Sequence, residues 1–550
     1  MLNNKISFII YKTDEQKFNN LLQKMSSIIC PEGWHVEVIP AIGKNLVTAY
    51  SKASKKSNAF CKIYVSDHVT YMDNNIIFNI LRVKDLCPNV EILGTLGYTL
   101  PISGDISQIT SYYGKYVFED DGNNIRMVKA DNPLIYHKVH SVDSSFFITF
   151  SDVELNESAR ELFVMDLCCN SRIAGKDVIV PMQNSNWVEL DIPPESLNTN
   201  SILDYQSKLN YVYQKHKSLI TPLVSVLIPT YNSPKYFEEA LQSALNQTYP
   251  NLEIIVGDDS TNDETESLIQ KYLTNYKNIK YYHHAKPLGD SGGNNIRFLL
   301  GMPTGEYVNI LFHDDLIYPE KISNMMKYYL NDTENEIGIV TSTRHFIDTN
   351  SKMIGKVDAW SPFENKIVDG KDVCRKILLS QLNFIGEYST VLLKKNDLLT
   401  FDGDYDIGVF GNYKEKSMSD ISTWLNILKD DKKLVYIKEP LSAFRKHENQ
   451  NTFKPSIRLN IALDWLCLST LAYQHGIIAS EDEYKQAIKS WMSVQYDLHE
   501  ELHSWVKSDI EADLLEIYEI YLAIYSLVKQ HKYEDVYNII SEYIKIKQVK

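Results

Sequence analysis

The sequence predicts an α/β protein, and the clearest part of this prediction lies between residues 223 and 319. Three apolar runs in that region, at 224–228, 252–256 and 306–311, are typical of buried strands separated by helices. Two carboxylate pairs follow the second and third runs: Asp258 with Asp259, and Asp314 with Asp315. Ligands of open α/β sheets bind at the carboxyl ends of the strands. One edge of this sheet is therefore expected to hold a nucleotide together with a cation.

The spacing of apolar residues divides the rest of the chain into zones. Strand-like and helix-like runs alternate over 1–205, which predicts a further α/β domain before the central one. A polar stretch then leads to the central α/β domain, expected at 221–453. Over 457–550 the apolar residues recur with helical spacing, which predicts an all-α C-terminal domain.

Length and composition limit the classes of protein that the chain can represent. A chain of 550 residues exceeds what one hydrophobic core supports, so several domains are expected. The formal net charge of −15 argues against a nucleic-acid partner, because phosphate binding needs a basic surface. The seven cysteines form no C-x-x-C pair, and no charged leader or apolar run of about 18 residues is present. A cytoplasmic protein is expected, with peripheral membrane contact and oligomeric state left open.

The first strand of the central domain runs into a turn and a helix. Pro-Thr-Tyr-Asn at 229–232 breaks the apolar run, and Ser233 is a good N-cap residue. Pro234 suits the first helical position, where its missing N–H is not needed. Taken alone, this segment is read equally well as an ordinary strand–helix corner.

The segment 222–263, PLVSVLIPTYNSPKYFEEALQSALNQTYPNLEIIVGDDSTND, closely resembles the opening of the family 2 glycosyltransferases. That family has a strand, P-x-Y-N, a helix ending S-x-x-x-Q-T-Y, and a strand ending D-D-x-S-x-D. The resemblance implies a GT-A fold, which is Rossmann-like, and a nucleoside-diphosphate sugar donor. It places Pro229, Thr230 and Tyr231 in the nucleotide pocket. It also places Asp258, next to Asp259, against the base.

A carboxylate at a strand end suits uracil, because uracil N3–H donates and a charged acceptor strengthens the bond. The alternative is that the two carboxylates cap the helix that starts near residue 263. Gly289 and Asn295 match the family's G-x-x-x-A-x-N element, which implies further contacts with the donor. Asn294 replaces a common arginine of relatives, and Gly257 replaces a larger apolar residue.

The third strand ends in Leu-Phe-His-Asp-Asp at 311–315, where relatives often have L-D-x-D-D. Asp314 matches the last aspartate of the family's D-x-D element, which implies a metal ligand, while Phe312 replaces the first aspartate. A cation at Asp314 would neutralise charge on the departing diphosphate. Oxygen ligands favour Mn²⁺ or Mg²⁺. His313 is interpreted as a further donor-side contact or as a simple partner of the carboxylates.

Inverting transfer needs a base that takes the proton of the acceptor hydroxyl. The segment SMSDISTWLNILK at 417–429 resembles the family's E-D-x-x-x-W helix. Asp420 falls on the aspartate and Trp424 on the tryptophan, while Ser419 replaces the preceding acid. The resemblance makes Asp420 the expected base, and the alternative is a residue that only favours the helix start. Glu387 is the second choice of base.

The segment EPLSAFRKHENQNTF at 439–453 resembles the closing R-x-H element of the family. This resemblance implies that Arg445 contacts the diphosphate and that His447 contacts the diphosphate or the metal. The alternative is an ordinary polar loop that follows a strand.

The N-terminal zone loosely resembles another glycosyltransferase-like family of the same fold. Relatives there have a strand ending H-x-D, whereas this chain has Ser66-Asp67-His68. A degenerate, non-catalytic GT-A-like domain is therefore expected, with a second active site as the alternative. Asp67 is the residue that distinguishes the two.

The combined hypothesis is a metal-dependent, inverting hexosyltransferase. It would move a sugar from a UDP-sugar donor to a hydroxyl of a glycan, glycolipid or protein-linked acceptor. Tandem GT-A-like domains followed by helices are typical of a bacterial enzyme of polysaccharide biosynthesis or protein glycosylation. The rival hypotheses are a catalytically impaired protein that binds sugar nucleotides as a scaffold, and a bifunctional enzyme.

Overall fold

The computed structural model describes residues 4–100, 112–114, 117–120, 124–127, 136–183, 185–191, 211–332, 334–357, 360, 364–400, 403–411, 413–414, 417–448, 455–503 and 512–548. The chain forms two compact units, Met1–Thr221 and Pro222–Lys550. The second unit contains both the central α/β region and the C-terminal helices. The three-domain division at 1–205, 221–453 and 457–550 stays a prediction.

The first unit is an α/β unit. Its strands are β1 Lys5–Tyr11, β2 His35–Ala41, β3 Cys61–Val65, β4 Val69–Met72, β5 Val90–Gly94, β6 Leu96–Tyr98, β7 Tyr112–Gly114, β8 Val117–Asp120, β9 Asn124–Met127, β10 Tyr136–Lys138, β11 Ser141–Val142, β12 Phe146–Thr149, β13 Asp177–Pro181 and β14 Val188–Leu190. Its α-helices are Glu15–Met25, Leu46–Ser54, Ile76–Leu86, Phe163–Ile173 and Lys217–Ile220. The main sheet has the order β10-β13-β5-β12-β3-β1-β2.

The second unit combines a larger sheet with many helices. Its strands are β15 Val224–Thr230, β16 Leu252–Asp258, β17 Ile279–His283, β18 Tyr307–Ile310, β19 Leu316–Ile317, β20 Ile337–Ile347, β21 Met353–Val357, β22 Lys366–Asp369, β23 Leu392–Lys394, β24 Val409–Phe410, β25 Tyr413–Lys414 and β26 Lys433–Arg445. Its α-helices are Pro234–Leu245, Glu264–Asn275, Gly293–Gly301, Lys321–Asn331, Gly370–Ser380, Ser419–Leu428, Pro455–Gln474, Glu481–Val494, Tyr496–His503, Ala512–Lys529 and Tyr533–Gln548. The main sheet has the order β17-β16-β15-β18-β23-β20-β26-β19.

Six strands of each main sheet share one topology. In the first unit, β2, β1 and β3 run parallel, β12 is antiparallel to its neighbours, and β5 and β13 are parallel. In the second unit, β16, β15 and β18 run parallel, β23 is antiparallel to its neighbours, and β20 and β26 are parallel. The strands also follow the same order along the chain. The predicted repetition of an α/β architecture is thus present in the strand order itself.

The local sequence explains the start of the second sheet. Every residue of β15 is buried, which accounts for its continuous apolar run, because a parallel strand inside a sheet is covered on both faces. Pro234 occupies the first turn of the following helix, as predicted. Ser233 precedes that helix, but its side chain makes no capping hydrogen bond with the described residues.

One hydrophobic core joins the sheet of the second unit to the C-terminal helices. It contains Leu227 and Val308 from the sheet, Trp424 from a covering helix, and Leu466 and Tyr521 from helices beyond residue 455. The helical region therefore packs as part of this unit.

Two further features are the state of the thiols and the apolar character of the helices. All seven cysteines are free thiols; Cys30 is exposed and the other six are buried. In the part of the chain that the structure describes, no helix combines the length and apolar character needed to cross a bilayer.

Candidate active site

Parallel pairing gathers the predicted site residues of three strands at one edge of the sheet. Thr230 at the end of β15 lies opposite Asp258 at the end of β16. On the other side of β15, the backbone N–H of Leu311 donates to Leu227 at 2.8 Å. The imidazole Nδ1 of His313 then lies 3.3 Å from the Pro229 carbonyl oxygen. The acidic ends of β16 and β18 therefore flank the end of β15, as the sequence predicted.

The two adjacent carboxylates of β16 lie in different surroundings. Asp258 is fully buried; its carboxylate accepts hydrogen bonds from the Ser260 N–H at 2.9 Å and the Tyr281 hydroxyl at 2.7 Å. Asp259 is also buried, but its Oδ1 has no hydrogen-bond partner among the described residues. The Thr230 hydroxyl at the same edge is likewise buried without a described partner. Unpaired buried polar atoms are unfavourable unless a ligand or water satisfies them.

Asn295 and Gly257 form a contact that explains a departure from the family pattern. The Asn295 Nδ2 donates to the Gly257 carbonyl at 2.8 Å. A Cβ atom at residue 257 would lie 2.2 Å from the Asn295 Oδ1. Glycine is therefore required at 257 because the Asn295 amide occupies the space of a side chain.

The loop that begins at Gly289 has a backbone shape that favours glycine. Gly289 has φ of +85° and precedes the helix Gly293–Gly301. Asn294 donates from Nδ2 to the Leu288 carbonyl at 2.8 Å, which closes this loop. Arg297, three residues later, pairs with Asp290 at 2.8 Å.

Tyr231, in the predicted nucleotide pocket, is half exposed.

Asp314 and His447 form the candidate cation site. The His447 Nε2 lies 3.0 Å from the Asp314 Oδ2, and both side chains are partly accessible. The His447 ring lies 5.6 Å from the Tyr236 ring. The described residues contain no cluster of three or more His, Cys, Asp or Glu side chains arranged for a metal ion. A carboxylate oxygen and an imidazole nitrogen are both ligands that a divalent cation accepts, and Asp314 and His447 are the residues that would hold one here.

Phe312 occupies the position of the missing aspartate and packs against Tyr388, with ring centroids 6.1 Å apart. Asp315, three residues further along, is buried and accepts from the Arg445 backbone N–H at 3.1 Å. Burial, and then the charge of Asp314, raises the pKa of the Asp315 carboxyl well above its usual value. Asp315 therefore supports the turn from inside the fold.

Lys321 is a buried residue of this region that the sequence analysis missed. Its ammonium donates to the Ser389 carbonyl, and burial lowers its pKa to about 7. A single lysine at a helix start carries no sequence signal of burial, so the pattern could not reveal it.

Arg445 is fully buried and engaged by protein groups. Its guanidinium donates to the Asp314 carbonyl at 2.7 Å, the Asp348 carbonyl at 3.0 Å, the Ser351 hydroxyl at 2.9 Å and the Glu239 carboxylate at 2.7 Å. These bonds fix the turn that carries Asp314. The predicted contact of Arg445 with a diphosphate stays a prediction.

Asp420, the expected base, lies at the start of the helix Ser419–Leu428 and is partly exposed. Its Oδ2 accepts from the Asn383 Nδ2 at 2.8 Å, and its Oδ1 accepts from the Ile421 N–H at 2.8 Å. Burial, and then the charge of Glu387, raises the pKa of Asp420 to about 6. A carboxylate with this pKa is ionised at neutral pH and still able to take a proton.

Glu387, the second choice of base, is held by Arg344. The Arg344 Nη2 donates to Oε1 at 3.1 Å, and the Nε lies 2.8 Å from Oε2 in the same ion pair. Glu387 is therefore held in an ion pair, whereas the hydrogen bonds that Asp420 accepts come from the neutral groups of Asn383 and Ile421.

At the equivalent edge of the first unit, Asp67 and His68 have internal partners. Asp67 accepts a hydrogen bond from the Thr13 hydroxyl. The His68 Nδ1 lies 2.9 Å from Asp191, which also pairs with Lys17 at 3.1 Å.

Two family models match the chain. Residues 225–374 match glycosyl transferase family 2, and residues 7–211 match a family described as glycosyltransferase like. The resemblance of the central domain to the family 2 glycosyltransferases, predicted from the motifs at 222–263, is thus confirmed by the match at 225–374. The structure confirms the predicted α/β class, with a central sheet followed by C-terminal helices.

Several curated proteins resemble parts of the chain. A Methanocaldococcus jannaschii protein named as an uncharacterized glycosyltransferase is 28% identical over 234 residues, covering 42% of this chain and 73% of that protein. A Rickettsia typhi protein of the same description is 39% identical over 133 residues, 24% of this chain and 39% of the relative. Chondroitin synthase of Escherichia coli is 26% identical over 176 residues, 31% of this chain and 25% of the relative. The matches span 20% to 40% of the length of four Rickettsia relatives.

Solved structures also align with the chain. S. aureus TarS 1–349 in complex with UDP-GlcNAc aligns with a TM-score of 0.37 and 16% identity, over 58% of this chain and 91% of that chain. Mannosyltransferase PcManGT from Pyrobaculum calidifontis in complex with GDP-Man and Mn²⁺ aligns with a TM-score of 0.33 and 16% identity, over 60% of this chain and 93% of that chain.

Proposed function

We propose that the protein is a metal-assisted, inverting glycosyltransferase that uses a nucleoside-diphosphate sugar, preferentially a UDP-sugar. The observation that carries this proposal is the shared sheet edge in the family 2 segment. Two groups lie at that edge: the buried Asp259 Oδ1, which has no hydrogen-bond partner among the described residues, and the accessible Asp314–His447 pair. The acceptor is a hydroxyl of a glycan, a glycolipid or a protein-linked sugar.

The donor base binds at the ends of β15 and β16. Asp259 offers the base a charged acceptor, because its Oδ1 is not used by the described residues. Asp258 shapes the pocket through its bonds to Ser260 and Tyr281, so its predicted direct contact with the base ranks second. Pro229, Thr230 and Tyr231 line the same pocket from β15.

The diphosphate lies at the end of β18. Asp314 and His447 would hold a divalent cation there, and His313 lies at the β15 side. When bound, Mn²⁺ or Mg²⁺ neutralises the charge that develops on the leaving diphosphate. Arg445 fixes the position of Asp314 through its backbone carbonyl.

Asp420 acts as the base. Its carboxylate takes the proton of the acceptor hydroxyl as that oxygen forms a bond to C1 of the donor sugar. The bond from C1 to the diphosphate breaks on the opposite face, so the configuration at C1 inverts. Holding both substrates in register supplies much of the rate.

The first unit is non-catalytic in this proposal. Its second strand ends at Ala41 and is followed by Ile42 and Gly43, so no carboxylate pair stands there for a base. Its displaced Asp67 and His68 are paired internally.

One assay tests the proposal: diphosphate release and sugar transfer with a panel of UDP- and GDP-sugars, with Mn²⁺ or Mg²⁺. We expect turnover by the wild type and loss of turnover in Asp314→Ala and Asp420→Asn. Asp67→Ala and the exposed control Asp535→Asn should behave as the wild type. Binding without turnover would favour a scaffold, and loss in Asp67→Ala alone would move the reaction to the first unit.

A further inference from the structure

We propose that Asn383 is a positioning residue that aims the Asp420 carboxylate at the acceptor hydroxyl. This inference rests on the proposed function, because it assigns a partner to the proposed base. The sequence motifs assign no role to Asn383.

All the hydrogen-bonding capacity of the Asn383 amide is used. Its Nδ2 donates to Asp420 Oδ2 at 2.8 Å and to the Gly386 carbonyl at 3.2 Å. Its Oδ1 accepts from the N–H groups of Ile385 at 3.0 Å and Gly386 at 2.9 Å. An amide supplies two donors and two acceptor positions, so this pattern also fixes which end faces Asp420.

The loop that Asn383 closes is rigid on its other side. Gly386 has φ of +106°, and a Cβ atom there would lie 2.9 Å from an Arg344 guanidinium nitrogen. The Trp424 indole N–H donates to the Gly386 carbonyl at 3.1 Å. Trp424 is fully buried in the helix that carries Asp420. Helix and loop are therefore tied together at two points, Trp424 to Gly386 and Asp420 to Asn383.

These contacts determine from which directions a proton can reach the Asp420 carboxylate. Each Asp420 oxygen accepts one bond from the protein, Oδ2 from Asn383 and Oδ1 from Ile421. The charged side chains that act on Asp420 are Glu387, which raises its pKa, and Arg344, which lowers it. Donation from Asn383 stabilises the ionised carboxylate, and its loss would favour the protonated form.

The experiment measures the rate of UDP release as a function of pH for the wild type, Asn383→Ala and Asn383→Asp, at saturating UDP-sugar and Mn²⁺. The acidic limb is the part of this profile in which the rate falls as the pH is lowered. The wild type should lose activity below about pH 6, following Asp420. Asn383→Ala should move this acidic limb upward. Asn383→Asp should move it further, by about one pH unit, because a second carboxylate then faces Asp420.

Three controls make the result decisive. Asp420→Asn should leave only a low residual rate that no longer falls below about pH 6, which assigns the acidic limb to that residue. Asn278→Asp adds the same charge at an exposed position on the opposite edge of the sheet and should leave the limb in place. Thermal unfolding confirms that each variant is folded.

A uniform loss of rate in both Asn383 variants, with the limb unmoved, would overturn the positioning role while leaving the proposed function intact. A wild type that releases no diphosphate at any pH would overturn both.

Discussion

Asp258 and Asp259 are neighbours in the chain, yet their carboxylates meet different surroundings at the end of β16. The oxygens of Asp258 are bonded within the protein, and one oxygen of Asp259 is not. The sequence shows two equivalent acids, because the direction of each side chain depends on the turn after the strand. The motif therefore predicts the pocket but not which carboxylate a base would meet.

We expect Asp259→Asn to weaken UDP binding about tenfold or more, because a hydrogen bond to a charged acceptor is lost. Asp258→Asn should instead lower the free energy of unfolding by about 1–3 kcal/mol, since it disturbs buried bonds. Calorimetric titration with UDP and urea unfolding measure the two effects. If Asp258→Asn weakens UDP binding and Asp259→Asn lowers the free energy of unfolding instead, Asp258 is the residue that contacts the base.

The pair of Gly257 and Asn295 leads to a second residue-scale expectation. Gly257→Ala should lower the free energy of unfolding by about 1–3 kcal/mol, because the new methyl group overlaps the Asn295 amide. Gly301→Ala is the matched control, since a Cβ there meets no atom within 4 Å. Combining Gly257→Ala with Asn295→Ala should restore part of the loss, and strict additivity would contradict the steric explanation.

At the scale of elements, β26 ends in a residue that ties several segments together. Arg445 joins the turn after β18, the turn between β20 and β21, and the helix Pro234–Leu245 through Glu239. The R-x-H motif locates this arginine in the sequence. Its bonding could not be predicted, because Glu239, Asp348 and Ser351 belong to ordinary helix and turn patterns.

Arg445→Lys should lower the free energy of unfolding by about 3 kcal/mol, because lysine cannot satisfy the partners that the buried guanidinium holds. Arg458→Lys is the control: Arg458 pairs with Glu501 at a partly exposed site, where about 1 kcal/mol or less is expected. Denaturant unfolding measures both. Weaker donor binding with unchanged stability in Arg445→Lys would place Arg445 on the diphosphate.

The strands of the second sheet show which elements a sequence can predict. The strands β15, β16 and β18 were predicted from apolar runs that end in polar residues. The loop around Asn383 was not predicted in detail, because its shape depends on contacts with the helix Ser419–Leu428. Distant contacts of this kind leave no periodic trace in the chain.

At the scale of the whole molecule, the alternation of strands and helices predicted an α/β first unit. The shared strand order of the two sheets is a relation between distant segments, so it required the structure. Helical periodicity likewise predicted the C-terminal helices, but not that they share a core with the second sheet.

We expect a fragment of residues 222–550 to be soluble and to unfold cooperatively. A fragment of 222–453 should aggregate, because removal of the helices exposes apolar residues of the shared core. Size-exclusion chromatography and calorimetry compare the two fragments. Cooperative unfolding of 222–453 would support the three-domain division predicted from the sequence.

The distribution of the thiols makes the native protein a ready substrate for site-selective chemistry. A maleimide fluorophore should react at the exposed Cys30 under native conditions without any engineered cysteine. A buried thiol reacts only when the structure around it opens, so its rate of alkylation reports local unfolding. The buried thiols are Cys61, Cys87, Cys168 and Cys169 in the first unit and Cys374 and Cys467 in the second. Pulsed alkylation followed by peptide mass spectrometry would thus resolve the unfolding of each unit within one intact chain.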